Sequence, residues 1–324
     1  MEYTVSVISK FEELPRMTCR NFFHSTDFFR IVEHTPGQKP YMIVAYDDNG
    51  EVVAHVLFML RRRRALVPPY FFTQGRVYGE GEYATGVPRE HLFRLMLEAI
   101  NHTTKLKLCL FIEFSNISRK MFAYGAFRTC GYFPVRWVQI HDSLHSMPPE
   151  QRLTPKTARR ISSSLKSGVI LRKLQGTKEL SSFIRLVKAQ YRYKIFNYAP
   201  DKQQFEEMWK NSNVQMYVCE YHEKIIGCCS VIYSDGNAYL WYHAAKSKTY
   251  PLQHPKTMCV WQALKAAEEN GCAHIYFMNA GLPFKKSRAR DFLLSFGGKP
   301  TSTYRWFRTT IPWLNKLLSW SYSE

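Results

Sequence analysis

Two neighbouring side chains that can move protons close an aromatic stretch in the second half of the chain. Tyr242 and His243 lie near the end of the run Asn237 to Ala245, which reads as a strand. A histidine can accept a proton near neutral pH, and a tyrosine can protonate a leaving group. Because successive side chains of a strand point to opposite faces, we expect at most one of them to face a cleft. Aromatic strand residues also commonly form a sheet core, so that alternative stays open.

A second set of candidates consists of basic and amide side chains at the predicted ends of strands and starts of helices. Such positions favour anions, because backbone N–H groups point outward there and the helix dipole adds positive potential. We therefore expect this set to bind an anionic substrate, with solvated surface charge as the alternative. In chain order its members are Lys246, His254, Asn279, Lys285 and Lys286. Arg305, flanked by Tyr304 and Trp306 on a predicted strand, is a further cation that we expect near the cleft.

The whole chain is strongly basic, with 45 Lys and Arg residues against 26 Asp and Glu residues and a formal net charge of +19. Two stretches, 152–173 and 292–323, contain basic residues and no acid. Such surfaces attract polyanions, which predicts contact with tRNA, a nucleotide-linked lipid or the inner leaflet of a membrane. The predicted centre is Arg159, Arg160, Lys166 and the basic C-terminal half, and a solvated basic face is the alternative.

The eight cysteines include no CxxC pair and no spacing with histidine that indicates zinc, so the sequence predicts free thiols and no metal site. Hydrophobic residues make up 45% of the 324 residues, which is enough for a sizeable core and excludes intrinsic disorder. Neither a signal peptide nor a membrane span of about 18 apolar residues is predicted. We expect a cytoplasmic protein that contacts the inner membrane peripherally if the segment PWLNKLLSWSY binds lipid.

The elements that must position these residues follow the same order in both halves of the chain. Each half reads as a helix, a hairpin of antiparallel strands, a central strand, a second helix and further strands. The hairpin signals are clearest at 41–60, around Asn49-Gly50, and at 214–233. A helix is predicted at 255–270, directly after the first basic loop.

This order predicts an α+β fold with two domains, each a mixed, mainly antiparallel sheet flanked by helices. We expect the domains at 1–147 and 169–324, joined by a linker and a helix at 148–168. No repeat is visible residue by residue, so the duplication follows from the order of the elements alone.

Several short motifs give the chain a resemblance to a known family. They are Ile226-Gly227 on a hairpin, Tyr239 to His243, Met278-Asn279-Ala280-Gly281, and Phe296-Gly297-Gly298 ahead of Arg305-Trp306. In these features the chain resembles the Fem-type peptidyltransferases. The resemblance implies two tandem acetyltransferase-type (GNAT) domains that transfer an acyl or aminoacyl group to an amine of a cell-envelope or polysaccharide precursor. It also implies no tightly bound cofactor, with acyl-CoA, an acyl carrier or aminoacyl-tRNA as the anionic donor.

This resemblance makes a glycine-containing loop in the first half a candidate for binding the phosphates of the donor. GNAT enzymes hold the pyrophosphate of coenzyme A on a loop of the pattern Gln/Arg-x-x-Gly-x-Gly/Ala, and Arg76 to Gly81 fits it. Arg76 and Gly79 are therefore candidates for donor binding, although Glu80 and Glu82 place negative charge beside the loop. A plain glycine turn is the alternative. For the whole chain, the alternative function is a non-catalytic GNAT-like pair that acts as a scaffold or binds RNA.

Overall fold

The computed structural model describes residues 2–66, 69–105, 109–191, 198, 200–278 and 280–322. The chain divides into two compact units, one made of Met1–Trp137 and Ser302–Glu324 and the other of Val138–Thr301. The second unit is thus an insertion between two segments of the first. The predicted domains assign residues 302–324 to the second half instead, because nothing in a sequence says which sheet a late strand joins.

Strands and helices are numbered here in chain order. The strands are β1 (Thr4–Ile8), β2 (Gln38–Tyr46), β3 (Val52–Leu66), β4 (Pro69–Tyr78), β5 (Glu82–Tyr83), β6 (Cys109–Ser115), β7 (Phe133–Ser143), β8 (Ile170–Lys173), β9 (Val214–Tyr221), β10 (Lys224–Ser234), β11 (Asn237–Ala245), β12 (His274–Phe277) and β13 (Lys299–Thr309). The α-helices are α1 (Thr26–Glu33), α2 (Arg89–Lys105), α3 (Tyr124–Thr129), α4 (Pro155–Lys166), α5 (Gly176–Tyr191), α6 (Lys202–Lys210), α7 (Pro255–Glu269), α8 (Arg288–Leu294) and α9 (Pro312–Ser321). Short 3-10 helices cover Phe11–Glu13, Phe22–His24 and Pro149–Arg152.

In the first unit the strands are hydrogen-bonded in the order β1-β2-β3-β4-β6-β13, and β5 pairs with β3. Strand β4 pairs with β6 in parallel, whereas the pairs β1–β2, β2–β3, β3–β4, β3–β5 and β6–β13 are antiparallel. The hairpin between β2 and β3 turns where Gly50 adopts a φ of +79°, a conformation that glycine tolerates. Strand β3 is longer than predicted, because the arginine run 61–64 continues the strand instead of ending it.

Helices α2 and α3 supply the apolar core of the first unit together with one face of its sheet. The rings of Phe93, Phe114 and Phe127 pack edge to face, with centroids 5.0–6.0 Å apart. Trp306 on β13 is fully buried, and its indole stacks on Phe127 at 4.4 Å. Since Trp306 also lies opposite Phe114 in the pairing of β13 with β6, this late strand belongs to the first unit.

In the second unit the strands follow the order β7-β12-β11-β10-β9-β8, to which β7 contributes its part from Val138 onward. One pair, β11 with β12, is parallel, and the other pairings are antiparallel. Helix α7 packs closely on β10, because a Cβ atom at Gly227 would lie 2.6 Å from Sγ of Cys259. Helix α5 packs on β10 and β11 as well. Both units therefore have the predicted α+β architecture, a mixed and mainly antiparallel sheet flanked by helices.

The last helix, α9, contains no buried residue. Trp313, Leu317 and Trp320 recur at helical spacing along it and are 69%, 53% and 75% exposed. This apolar side of α9 is thus open to solvent. Within the described part of the chain, no helix combines the length and the apolar character needed to cross a bilayer.

Candidate active site at the fork of a parallel strand pair

The parallel pair β11–β12 opens into a fork part of the way along β11. Its ladder runs from the pair Asn237–His274 to the pair Leu240–Phe277, whereas β11 continues to Ala245. The pairing of β11 with β10 skips one residue, Trp241, so a β-bulge lies where the fork begins. Bulges re-aim side chains and end pairing, and they are frequent next to active sites. Beyond the bulge, the edge of β11 that faced β12 is outside the ladder.

The bulge decides which way the two predicted proton-transfer residues point. Tyr242 is buried, and its ring packs edge to face with Phe205 at 5.2 Å and with Tyr191 at 6.2 Å. It therefore belongs to an aromatic cluster on the side of α5 and α6. His243 is half-buried and pairs with Cys229, a residue of the core that includes α7. The two side chains lie on opposite faces, and His243 is the one on the α7 side of the fork.

The loop between β11 and α7 holds two more predicted residues. Lys246 is exposed, and its backbone N–H donates to the carbonyl of Ile226 at 2.8 Å. His254 precedes α7 in a left-handed conformation, with a φ of 41°, and its side chain does not cap the helix. Burial and the neighbouring Arg160 lower the pKa of His254 below its ordinary value. We therefore expect His254 to be largely neutral at neutral pH.

The second predicted basic loop, 281–287, lies between β12 and α8. Lys285 and Lys286 are exposed there. Arg290 of α8 donates to the carbonyl of Leu282 at 2.8 Å and to that of Lys285 at 2.9 Å, which fixes the backbone of the loop. Asn279, predicted at the end of the preceding strand, lies outside the described residues. The loop thus presents two exposed lysines on a backbone held by the next helix.

The expectation that Arg305 belongs to the second domain is wrong, because β13 pairs with β6 of the first unit. There its guanidinium lies 3.8 Å from the ring centroid of Trp137 and donates to Oε1 of Glu113 at 3.0 Å. Arg76 forms an ion pair with the same carboxylate and donates to Oγ of Ser115 at 2.7 Å. Both arginines are parts of one buried ionic network in the first unit.

Other buried polar residues extend this network, and the sequence analysis missed them. Gln74 donates to Oε2 of Glu113 at 3.1 Å and accepts from Arg63 at 3.5 Å, while Arg61 is buried on the same strand as Arg63. Burial alone would raise the pKa of Glu113, but the neighbouring guanidinium groups hold it below its ordinary value. The sequence did indicate a buried basic cluster, because the alternate residues Arg61 and Arg63 of the arginine run lie on one face of a strand.

The glycine loop in this unit does not offer its N–H groups to phosphates. The N–H of Gly79 donates to the carbonyl of Ser115 at 2.7 Å, and that of Gly81 donates to Nε2 of His24 at 3.1 Å. Gly79 also has a φ of +95°, and a Cβ atom there would lie 3.0 Å from the same nitrogen. The structure thus contradicts the predicted phosphate loop with Arg76 and Gly79 and favours the alternative, a glycine turn after a strand.

Comparison with known proteins gives this geometry a context. Residues 154–286, which contain the fork, match the family model described as "Acetyltransferase (GNAT) domain". No protein of curated function matches the sequence significantly. Among solved structures, the chain is similar to FemX, with a TM-score of 0.64 and 10% identity over 93% of this chain and 96% of that chain.

Two further solved structures are similar over nearly their whole length. One is the C-terminal domain of a putative lysylphosphatidylglycerol synthetase from Agrobacterium fabrum, with a TM-score of 0.60 and 9% identity over 93% of this chain and 91% of that chain. The other is a tandem GNAT protein from the clavulanic acid biosynthesis pathway, with a TM-score of 0.59 and 11% identity over 95% and 98%. At such identities the likeness concerns the fold, and it confirms the tandem GNAT-type fold and the Fem-like resemblance predicted from the sequence.

Proposed function

We propose that this chain transfers an acyl or aminoacyl group to an amine of a cell-envelope or polysaccharide precursor, with the reaction at the fork of the second unit. One observation carries the proposal. Strand β11 separates from β12 after Leu240 and continues to Ala245 with β10 still paired to its other edge, inside the segment that matches a GNAT domain. Backbone donors along such an edge are fixed by the sheet, so they can stabilise the charge that develops on a carbonyl oxygen during acyl transfer.

The proposed reaction needs few side chains. The acceptor amine attacks the carbonyl carbon of the donor, and the bond to the leaving sulfur or oxygen breaks. His243 is the proposed base that takes the amine proton and returns it to the leaving group, because it lies half-buried at the fork. Tyr242, enclosed by aromatic rings, is the weaker candidate for protonating the leaving group. Holding the two reactants together supplies much of the acceleration.

The proposed donor is an anionic substrate, and acyl-CoA, an acyl carrier and aminoacyl-tRNA all fit this class. The loops after β11 and β12 leave the same end of a parallel strand pair, and both present exposed lysines, namely Lys246, Lys285 and Lys286. Helix α7 begins in the first loop without a side-chain cap, so its dipole adds positive potential. The similarity to a protein named for lysylphosphatidylglycerol, an aminoacylated lipid, favours an aminoacyl donor.

We also propose that α9 contacts an anionic membrane surface, where a lipid-linked amine acceptor would lie. The exposed Trp313, Leu317 and Trp320 form one apolar side of this helix. Tryptophan prefers the membrane interface, and basic residues near an apolar helix face strengthen binding to anionic lipid. Lys316 lies within α9, and the stretch 292–323 contains no acid.

The second candidate function is a non-catalytic pair of GNAT-like units that binds RNA or serves as a scaffold. It is favoured by the exposed basic side chains of α4, which are Lys156, Arg159 and Lys166. Such residues bind RNA through its phosphates, so this function would not require an acyl donor at the fork. The two candidates therefore differ in whether a covalent product forms.

The test begins in cells and continues with purified protein. Mass spectrometry of envelope precursors should find an acyl or aminoacyl mass in cells that contain the protein and not in cells that lack it. With that donor, the double variant Lys285→Ala and Lys286→Ala should lose transfer while its melting temperature changes little, because exposed lysines add little to stability. The matched control, Lys173→Ala with Lys178→Ala, changes two exposed lysines of the same unit and should keep transfer.

Three results would count against the proposal. Full activity of the first double variant would remove the donor from the loop after β12. An unchanged rate in His243→Gln would remove the proposed base. Identical precursor pools in the two kinds of cell, together with RNA that copurifies with the protein, would favour the non-catalytic alternative.

A further inference from the structure

Three side chains with metal-binding atoms converge in the first unit, in a place that the proposed reaction does not use. His55 on β3 lies directly opposite Glu82 on β5, and its Nε2 is 3.6 Å from Oε1 of Glu82. Sγ of Cys19 is 4.0 Å from the same nitrogen. All three ligand atoms lie within 4.8 Å of one another. A sulfur, a nitrogen and an oxygen thus surround one common point.

The spacing of these atoms is close to what zinc requires. Zinc bonds of about 2.3 Å to sulfur and about 2.0–2.2 Å to nitrogen and oxygen place tetrahedral ligands about 3.4–3.6 Å apart. The pair His55–Glu82 is already at 3.6 Å, and the pair Cys19–His55 at 4.0 Å needs only a small closure. A donor set of thiolate, imidazole and carboxylate suits zinc, whereas Mg²⁺ and Ca²⁺ prefer oxygen ligands alone.

A catalytic triad is the other known use of a cysteine, a histidine and an acid. In a triad the nucleophile and the acid contact opposite nitrogens of the imidazole ring. Here Sγ of Cys19 and the carboxylate of Glu82 both face Nε2 of His55. This geometry rules out a proton relay from Cys19 through the His55 ring to Glu82. A single metal ion at the common point would instead bind all three atoms.

Surrounding backbone groups fix the carboxylate in place. Oε2 of Glu82 accepts from the N–H of Arg20 at 2.8 Å, and Oε1 accepts from the N–H of Asn21 at 3.0 Å. Outer contacts of this kind orient metal ligands and are part of a working site. Because Arg20 and Asn21 follow Cys19 directly in the chain, the same two bonds also hold the cysteine beside Glu82.

The nearby His24 does not complete the set. Its Nδ1 and Nε2 face the backbone N–H groups of Leu57 and Gly81, both at 3.1 Å. Cys19 and Glu82 are both partly exposed, so solvent and ions can reach the cluster. A fourth position would then belong to water.

We propose that Cys19, His55 and Glu82 bind one Zn²⁺ ion, with water as the fourth ligand. Binding replaces hydration water of the ion by Sγ, Nε2 and Oε1, and the proton of the Cys19 thiol leaves to the buffer. His55 lies on β3, Glu82 on β5 and Cys19 in the segment before the 3-10 helix Phe22–His24. A bound ion would therefore cross-link that segment to the sheet.

The experiment titrates the full chain with Co²⁺, which takes the place of Zn²⁺ and absorbs visibly. We expect a thiolate-to-cobalt charge-transfer band that saturates at one equivalent and is abolished by an equivalent of Zn²⁺. Cys19→Ser should remove the band, and Glu82→Gln should weaken binding at least tenfold. Cys130→Ser is the matched control, because Cys130 is the other cysteine that is only partly buried, and it should keep the band.

A second measurement needs no variant. Zn²⁺ should slow the alkylation of Cys19 in the native chain and leave that of Cys130 unchanged, as read by mass spectrometry of peptides. The proposal is overturned if cobalt gives no thiolate band at one equivalent, if the band survives in Cys19→Ser, or if Zn²⁺ fails to protect Cys19. None of these measurements depends on acyl transfer, so their results neither support nor contradict the proposed function.

Discussion

The carboxyl group of Asp142 should make the stability of this protein fall as the pH rises towards neutrality. Asp142 lies on β7 opposite Ile275 and is 1% exposed. Within the described part of the chain, neither of its oxygens has a hydrogen-bond partner. Burial raises the pKa of Asp142 from 3.8 to about 7, and nearby Arg152 offsets only part of this effect. The folded state therefore keeps a proton that the unfolded state has already lost.

The magnitude follows from the two pKa values. Below about pH 4 both states hold the proton, so the group has no effect. Between about pH 4 and pH 7 folding takes up a proton, so the free energy of unfolding falls by about 1.4 kcal/mol per pH unit. Above pH 7 both states are ionised, and a penalty on the order of 4 kcal/mol remains.

The perturbation is Asp142→Asn, which keeps the shape of the side chain and removes its titration. We expect its free energy of unfolding, relative to the original chain, to grow by about 4 kcal/mol between pH 4 and pH 8. The unsatisfied amide costs about 1–3 kcal/mol at every pH, so only the change with pH is diagnostic. Urea unfolding at several pH values measures it, and Asp235→Asn, at an exposed turn, is the control. Parallel stability curves for Asp142→Asn and the original chain would refute the reasoning.

Other perturbations should separate buried from exposed groups. Trp306→Ala should lower the free energy of unfolding by about 3–5 kcal/mol in urea titrations, because the indole is fully buried, whereas Trp313→Ala should change it by less than about 0.5 kcal/mol. Glu113→Gln should lower the free energy of unfolding by about 3–5 kcal/mol, since it leaves buried guanidinium groups without their carboxylate. The control is Glu98→Gln, which breaks the exposed ion pair with Arg94 and should cost under about 1 kcal/mol in the same assay. If the protein binds tRNA, fluorescence anisotropy should show a log–log salt slope that is shallower by about two or more after neutralising three residues, and an unchanged slope would move the site away from Arg159, Arg160 and Lys166.

Local patterns predicted the elements well where side chains recur at regular spacing. The helix expected at 255–270 spans Pro255–Glu269, and the hairpin expected at 41–60 spans β2 and most of β3. The pattern failed at the arginine run that follows, which looked like the end of a strand. Arg61 and Arg63 are buried among other polar groups, and a pattern of apolar residues contains no trace of such a network.

The candidate site could be predicted only as far as local sequence determines it. The end of β11 and the two loops with lysines followed from neighbouring residues. Contacts between residues far apart in the chain could not be predicted from local sequence. Arg305, for example, pairs with the carboxylate of Glu113, which lies 192 positions earlier. The cluster of Cys19, His55 and Glu82 escaped for the same reason, since its members share no short spacing and meet only when β5 pairs with β3.

The insertion of the second unit into the first has a consequence for the order of folding on the ribosome. At about 5–20 residues per second, the segment after Ser302 emerges roughly 10–40 s later than β6, the strand with which it pairs. During that interval the nascent first unit lacks Trp306, and the open edge of β6 can pair with other chains. The inserted unit is complete sooner. We therefore infer that the inner unit folds first, and that a chain stalled before Ser302 carries a folded second unit on an unfinished, aggregation-prone first one.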